Sequence, residues 1–198
     1  MTIRHALLAI LDQGDCYGSQ LRAEYDRRTG AVWSLNVGQI YTTLDRLERD
    51  GLVRTGERDA QGHLYYQITE AGRQDVAAWF TTPMERSAAD RDDLATKVSL
   101  AVTLEGVDAL TVVQVQHRSV EHRLAALRLQ RGPVGSGSAV LAAELILEAL
   151  IGAAEAELKW LAIAEQRISA AGPAGEAMPL DTRTPRRGRP RTIIATDV

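Results

Sequence analysis

Residues 36–53 read NVGQIYTTLDRLERDGLV, and their polar side chains are spaced for hydrogen-bond recognition rather than for catalysis. At about 100° per residue, Val37, Ile40, Leu44 and Leu47 fall on one side of a helix with Tyr41 at its edge. The outward arc holds Gly38, Gln39, Thr42, Asp45, Arg46 and Arg49. Small and amide-bearing residues near its start let such a helix enter a major groove about 12 Å wide, where Gln and Arg meet base edges or phosphates. A merely solvated face has a similar composition, so this helix alone is compatible with both readings. No catalytic constellation competes with it. His5, His63, His117 and His122 lack metal-ligand spacing, His117 and His122 being five apart beside Arg118 and Glu121, and no nucleophile stands next to a base. The expectation is a chain with no enzymatic activity, no cofactor and no metal.

The elements around this helix position it. Asn36 stands where an N-cap is expected, Gln39 where a capping box wants Glu or Gln, and Gly51 where a helix ends. Before it, IRHALLAILD (3–12) predicts a short apolar helix. YGSQLRAEYDRRTG then predicts a second helix stopping at Gly30, with Tyr17, Leu21 and Tyr25 facing inward. After it, GLVRTGERDAQGHLYYQIT alternates at both ends and is polar from Glu57 to His63, which predicts a β-hairpin with a projecting loop. Thr69 caps a further helix, EAGRQDVAAWF, whose Val76, Ala77, Trp79 and Phe80 supply apolar surface. Helix, helix, helix, hairpin, helix is the order of a winged helix-turn-helix, here assigned to residues 1–82.

Three segments in this region, HALLAILDQGDCYGSQL, GQIYTTLDRLERDGLV and YYQITEAGR, resemble the hallmark segments of PadR-type transcriptional regulators in order and separation. The resemblance covers roughly residues 3–80 and matches the pattern G-x-I-Y-x-x-L-x-x-L-E-x-x-G-L throughout. It implies that the helix of residues 36–50 enters the major groove and that the hairpin is a wing reaching the flanking backbone. Family wings often carry a basic residue just before the paired tyrosines. His63-Leu64 precede Tyr65-Tyr66 here, leaving Arg58 and His63 as the wing-tip contacts.

Composition sets outer limits. A chain of 198 residues with 45% hydrophobic content suits one or two small packed domains. The lone Cys16 excludes an internal disulfide and fits a reducing compartment, as a buried structural thiol rather than a redox sensor. The first helix follows no basic-then-apolar leader, and the most apolar run, 139–154, is broken by Glu144 and Glu148. A cytoplasmic protein with no membrane partner is therefore expected. The net charge of −3 is uneven: residues 1–80 carry 9 basic and 11 acidic groups, 81–180 carry 9 and 13, and 181–198 carry 5 and 2. DNA binding would need local clustering of arginine in the first segment, since that segment is not basic overall.

Beyond a polar connector, residues 90–171 predict three further helices. Val113, Val120, Leu124 and Leu127 form a near-heptad stripe, and Leu141, Leu145, Leu150, Leu158 and Leu161 a wide one. Such surface calls for association into a homodimer, as the resemblance also implies, or for packing on the chain's own winged domain. His117 continues the apolar stripe of its helix as a hydrogen-bonded interface residue. Trp33, Trp79 and Trp160 offer an aromatic lining for a flat small-molecule effector, against the plainer reading as core. Glu144, Glu148 and Glu155 read as a solvated acidic edge. From residue 172 the composition turns to Gly, Pro, Thr and Arg, predicting a flexible basic tail over 172–198. Within it TPRRGRPR resembles an AT-hook, with Arg187 and Arg189 directed along an A/T-rich minor groove.

The whole reads as a mainly α protein, a winged helix-turn-helix domain followed by a C-terminal helical dimerisation domain. It is expected to act as a homodimeric repressor on a palindromic double-stranded DNA operator, released by a small-molecule effector. Gln39, Tyr41, Thr42 and Arg46 are the expected groove contacts. A regulator similar to MarR proteins, and an interaction module that no longer binds DNA, are the alternatives, the latter favoured by the domain's net charge of −2.

Overall fold

The computed structural model describes residues 2–32, 34–84, 93–130, 137–172 and 177–181. Its first helix, α1 (Thr2–Leu11), is apolar all round from Ala6 to Leu11, and every one of those residues is buried. A stretch with no polar face belongs at the centre of a domain, and α1 packs against α2 (Gly18–Arg28), α3 (Val37–Arg49), α4 (Glu70–Thr81) and α5 (Asp93–Thr103). The sheet has three antiparallel strands in the order β1-β3-β2: β1 (Cys16–Tyr17), β2 (Val53–Arg58) and β3 (Leu64–Ile68). Strand β1 adds to the expected hairpin by pairing Cys16 with Tyr66 and Tyr17 with Tyr65. Two residues carry no alternation, which is why the sequence pattern does not reveal it. Between β2 and β3 the register slips between Thr55 and Arg58, a bulge that bends the hairpin.

Two glycines let the elements approach. At Gly18 a Cβ would stand 2.7 Å from the Tyr41 ring, so the first turn of α2 lies directly on α3. At Gly72 a Cβ would stand 2.3 Å from the carbonyl oxygen of Leu52, fixing α4 against the start of the hairpin. Gly72→Ala is therefore expected to destabilise the protein. Alanine favours a helix over glycine by up to about 1 kcal/mol, but overpacking against a backbone carbonyl, which no rotamer change relieves, costs about 1–3 kcal/mol or more. A lowered midpoint in urea unfolding checks this, and an unchanged or raised midpoint would refute it.

The helical half joins the same core. Val98, Leu100, Ala101 and Leu104 of α5 and its exit cluster with α1, so no apolar gap separates the winged domain from the helices after it. Lys97 of α5 is buried, donates to the Thr82 carbonyl at 2.7 Å and lies 5.4 Å from the Trp79 ring. Burial pushes its ammonium down to about 8. Helices α6 (Ala109–Leu129) and α7 (Ser138–Ala171) form an antiparallel pair tied by Gln114–Glu165, Arg123–Glu157 and Arg128–Glu155 contacts. In α6 the buried polar residue is Gln116, bonded to Met84 and Glu157, and not the adjacent His117, which is partly exposed and faces Glu121 at 3.5 Å. The α7 stripe also divides. Ile151, Ala154 and Leu161 are buried, whereas Leu141, Leu145, Ile146 and Leu150 are 49–64% exposed.

One expectation needs correcting. Residues 177–181, inside the segment read as flexible tail, are bound to α2 and the end of α5: Met178 N donates to Thr103 O at 2.9 Å and Asp181 N to Glu24 Oε1 at 2.9 Å. The remainder of the tail, with Arg187 and Arg189, lies outside the described residues, as does Trp33.

Candidate nucleic-acid interface

Helix α3 is built to present one face. Its start is closed by a capping box in which Gln39 N donates to Asn36 Oδ1 at 2.8 Å and Asn36 N to Gln39 Oε1 at 3.0 Å. Ile40, Leu44 and Leu47 are fully buried and hold the other side on the core. Gln39, Tyr41, Thr42, Arg46 and Arg49 are exposed together on the outside. Arg46 makes no ion pair among the described residues, leaving its guanidinium available. The Gln39 amide oxygen is engaged by the cap, so its NH2 group is the part free to donate outward. Pairing both ends with adenine would surrender the cap, at a cost of about 1 kcal/mol.

Val37 departs from expectation. It is 46% exposed rather than part of the core, although Ile40 in the same turn is fully buried. With Tyr41, 44% exposed, it forms an apolar i, i+4 ridge beside the polar contacts. Such a ridge suits a thymine methyl group. Sequence reasoning assigns Val37 inward because it is three residues before Ile40. Its position as the first helical residue after the cap was the available signal.

The wing differs from the sequence reading at His63. The His63 ring stacks on Tyr17, 4.3 Å between centroids, and its Nδ1 lies 2.9 Å from Asp59 Oδ2. Asp59 Oδ1 also accepts from the Gln61 and His63 amides at 2.9 Å. Burial acts upward on the Asp59 carboxyl, but these hydrogen bonds from His63 and Gln61 outweigh it and hold it below the usual carboxylate range. His63 thus braces the loop from within instead of standing at the tip. Arg58 is exposed on β2, donating to the Gly62 carbonyl at 2.9 Å, with exposed Arg54 on the same strand.

Several acidic groups of the net −2 domain are paired with basic side chains of α1 and α4. Asp12 pairs with Arg73 at 3.2 Å, Asp50 with Arg4, and Asp75 with His5 at 3.4 Å, all along α1 and α4. Glu48 of α3 accepts from Thr55 of the wing. Arg46, Arg49, Arg54 and Arg58 stand exposed on α3 and β2, interspersed with Asp45 and Glu57. Phosphate attraction is local.

The other sequence-marked residues do not assemble a site. Trp79 stacks on His5 at 5.1 Å, Trp160 lies on α7, and neither lines the cavity of about 310 Å³ between α1, α4 and the α5–α6 turn. Ala9, Val76, Phe80, Leu104 and Val112 line it, with Asp12 and Asp108 at its rim. Cys16 is fully buried and its thiol is pushed up to about 12, by burial first and by Glu24 and Asp15 second, so it is unreactive near neutral pH. Among the described residues no group of His, Cys, Asp and Glu is arranged to hold a metal ion, and no helix is long and apolar enough to cross a membrane.

The chain is 29% identical to the probable transcriptional regulator Rv1176c of Mycobacterium tuberculosis, over 81% of this chain and 94% of that one. It is 22% identical to the negative transcriptional regulator PadR of Bacillus subtilis, over 64% and 71%. Among solved structures it is similar to B. subtilis PadR in complex with operator DNA, at 20% identity and a TM-score of 0.40, covering 85% of this chain and 99% of that one. The same protein in complex with p-coumaric acid gives 19%, 0.38 and equal coverage. Residues 7–78, the segment that holds α3 and the wing, match the model of the transcriptional regulator PadR-like family.

Proposed function

We propose that this protein is a homodimeric transcriptional repressor that binds a palindromic operator and is released by a small molecule. The observation that carries the reading is the face of α3: a capped helix, fixed by three fully buried residues, that exposes Val37, Gln39, Tyr41, Thr42 and Arg46 together. Each copy would place this helix in a major groove, with Arg58 of the wing on the flanking backbone. The apolar half of α7 supports pairing, because Leu141, Leu145, Ile146 and Leu150 form a surface that a second copy would remove from water. The cavity between α1, α4 and the α5–α6 turn, where winged and helical halves meet, is the place an effector would act on both. The B. subtilis relative is a negative regulator, which supports repression here. In the tail, Arg187 and Arg189 would enter an A/T-rich minor groove beside the main site.

One titration tests both parts. The full chain and a chain ended at Asp181 are measured on the protein's own promoter fragment, with A/T-rich and G/C-rich flanks, across a salt series. A specific complex that weakens steeply as salt rises is expected, because each neutralised phosphate contributes a slope of about −0.9 in log–log form. Absence of a complex at low salt would favour the interaction module instead. Truncation is expected to weaken binding chiefly on A/T-rich flanks, and equal losses on both flanks would refute the hook while leaving the winged-helix reading intact.

A further inference from the structure

Glu24 and Arg28 belong to no part of the DNA-facing surface, and their side chains are 1% and 0% exposed. Burying a charged pair costs several kcal/mol unless hydrogen bonds complete its shell. Here the C-terminal segment of the same chain completes it. Arg28 donates Nε to Glu24 at 3.1 Å, Nη1 to Thr103 O at 2.6 Å and Nη2 to Met178 O at 2.6 Å. The free oxygen of Glu24 accepts from Asp181 N at 2.9 Å. Arg27, bonded to Glu24 at 2.7 Å, donates to Pro179 O at 2.6 Å, and Gln20 donates to Asp181 O at 3.1 Å. Leu180 sits over Gly14, where a Cβ would stand 2.9 Å from its Cδ1.

The direction of this segment carries the consequence. Met178 lies at Arg28, in the last turn of α2, and Asp181 at Gln20, in its first, so the segment runs antiparallel to the helix. That first turn touches Tyr41 of α3 through Gly18, and its cap residue Tyr17 stacks on His63 of the wing. We propose that Glu24 and Arg28, with Arg27 and Gln20, form a clasp for the protein's own C-terminal segment, and that the clasp makes the residues after Asp181 start beside the recognition helix and wing. Resting on the DNA-binding proposal, this explains how a tail arginine would reach the flanking groove. Arg187 and Arg189 are six and eight residues beyond Asp181, a reach of about 20–29 Å at 3.3–3.6 Å per residue. A tether that short raises their effective concentration at the adjacent minor groove, which a tail starting from a distant helix end would not do.

The clasp is tested on the full chain without DNA. Amide exchange at Met178 and Asp181 is expected to be at least about 100-fold slower than in an unstructured peptide, and to lose most of that protection in Leu180→Glu. Arg27→Ala, which removes the bonds to Pro179 O and Glu24, should lower it more modestly if Leu180→Glu proves poorly folded. A nitroxide on Thr184→Cys, with Cys16 inert, is expected to broaden the amides of Gly18 and His63. Unprotected Met178 and Asp181 in an otherwise protected wild-type chain, or broadening confined to α7, would overturn the proposal. A chain ended at Asp181 that binds every flank as tightly as the full chain would refute the hook alone, because the exchange and broadening measurements involve no DNA.

Discussion

Leu145→Glu is expected to raise the dissociation constant of the dimer by at least about two orders of magnitude and to abolish operator binding at nanomolar protein. Leu145 is 62% exposed in the single chain, so glutamate there meets water and the monomer's own stability should change by less than about 0.5 kcal/mol. In a dimer closed over Leu141, Leu145, Ile146 and Leu150 the carboxylate would be buried without a partner, at a cost of about 3 kcal/mol or more. By two-fold symmetry each copy would bring one such charge to the interface. Operator binding falls with it, since a palindrome is held tightly only when two recognition helices are joined at fixed spacing. Sedimentation of wild-type and variant chains, with helix content followed by circular dichroism, reads both effects. A wild-type monomer at micromolar concentration, or a variant dimer as tight as wild type, would refute the pairing.

Arg46→Ala is expected to weaken specific binding by about 5- to 150-fold, the 1–3 kcal/mol of a bidentate base contact, while leaving fold and dimer unchanged. Arg46 is the cleanest probe of α3 because it lies on the exposed face and its side chain makes no ion pair or hydrogen bond to another described residue. Gln39→Ala would mix two effects, since the same side chain closes the capping box. A base contact predicts loss on the operator with little loss on unrelated DNA. A phosphate contact predicts a uniform loss and a salt slope shallower by about one. Unchanged operator affinity would remove Arg46 from the interface.

Much of this molecule was legible in its sequence because much of it is local. The 3.6-residue period of α3, the Asn36–Gln39 box and the Thr69 cap on Gly72 each depend on residues no more than four apart. So does the turn at Gly62, whose φ of +82° favours glycine. The family resemblance also rests on this local grammar, and residues 7–78 match the PadR-like family model.

What tertiary structure decided is where distant groups complete one another. Val37 fits the apolar period yet stays 46% exposed, although Ile40 in the same turn is fully buried. His63 reads as a wing-tip contact, but Tyr17 lies in reach of its ring once β1 pairs with β3, and the ring stacks on it. Gln116 takes the buried place beside His117 because Met84 and Glu157 converge on it alone. Glu24 and Arg28 look in sequence like any helical i, i+4 ion pair, which is normally solvated and worth little. They are buried because Thr103 and residues 178–181, more than seventy positions away along the chain, deliver the backbone groups that make a desolvated pair tolerable. Local spacing specifies which elements form, and only the meeting of remote segments determines which of their polar groups face water and which are taken out of it.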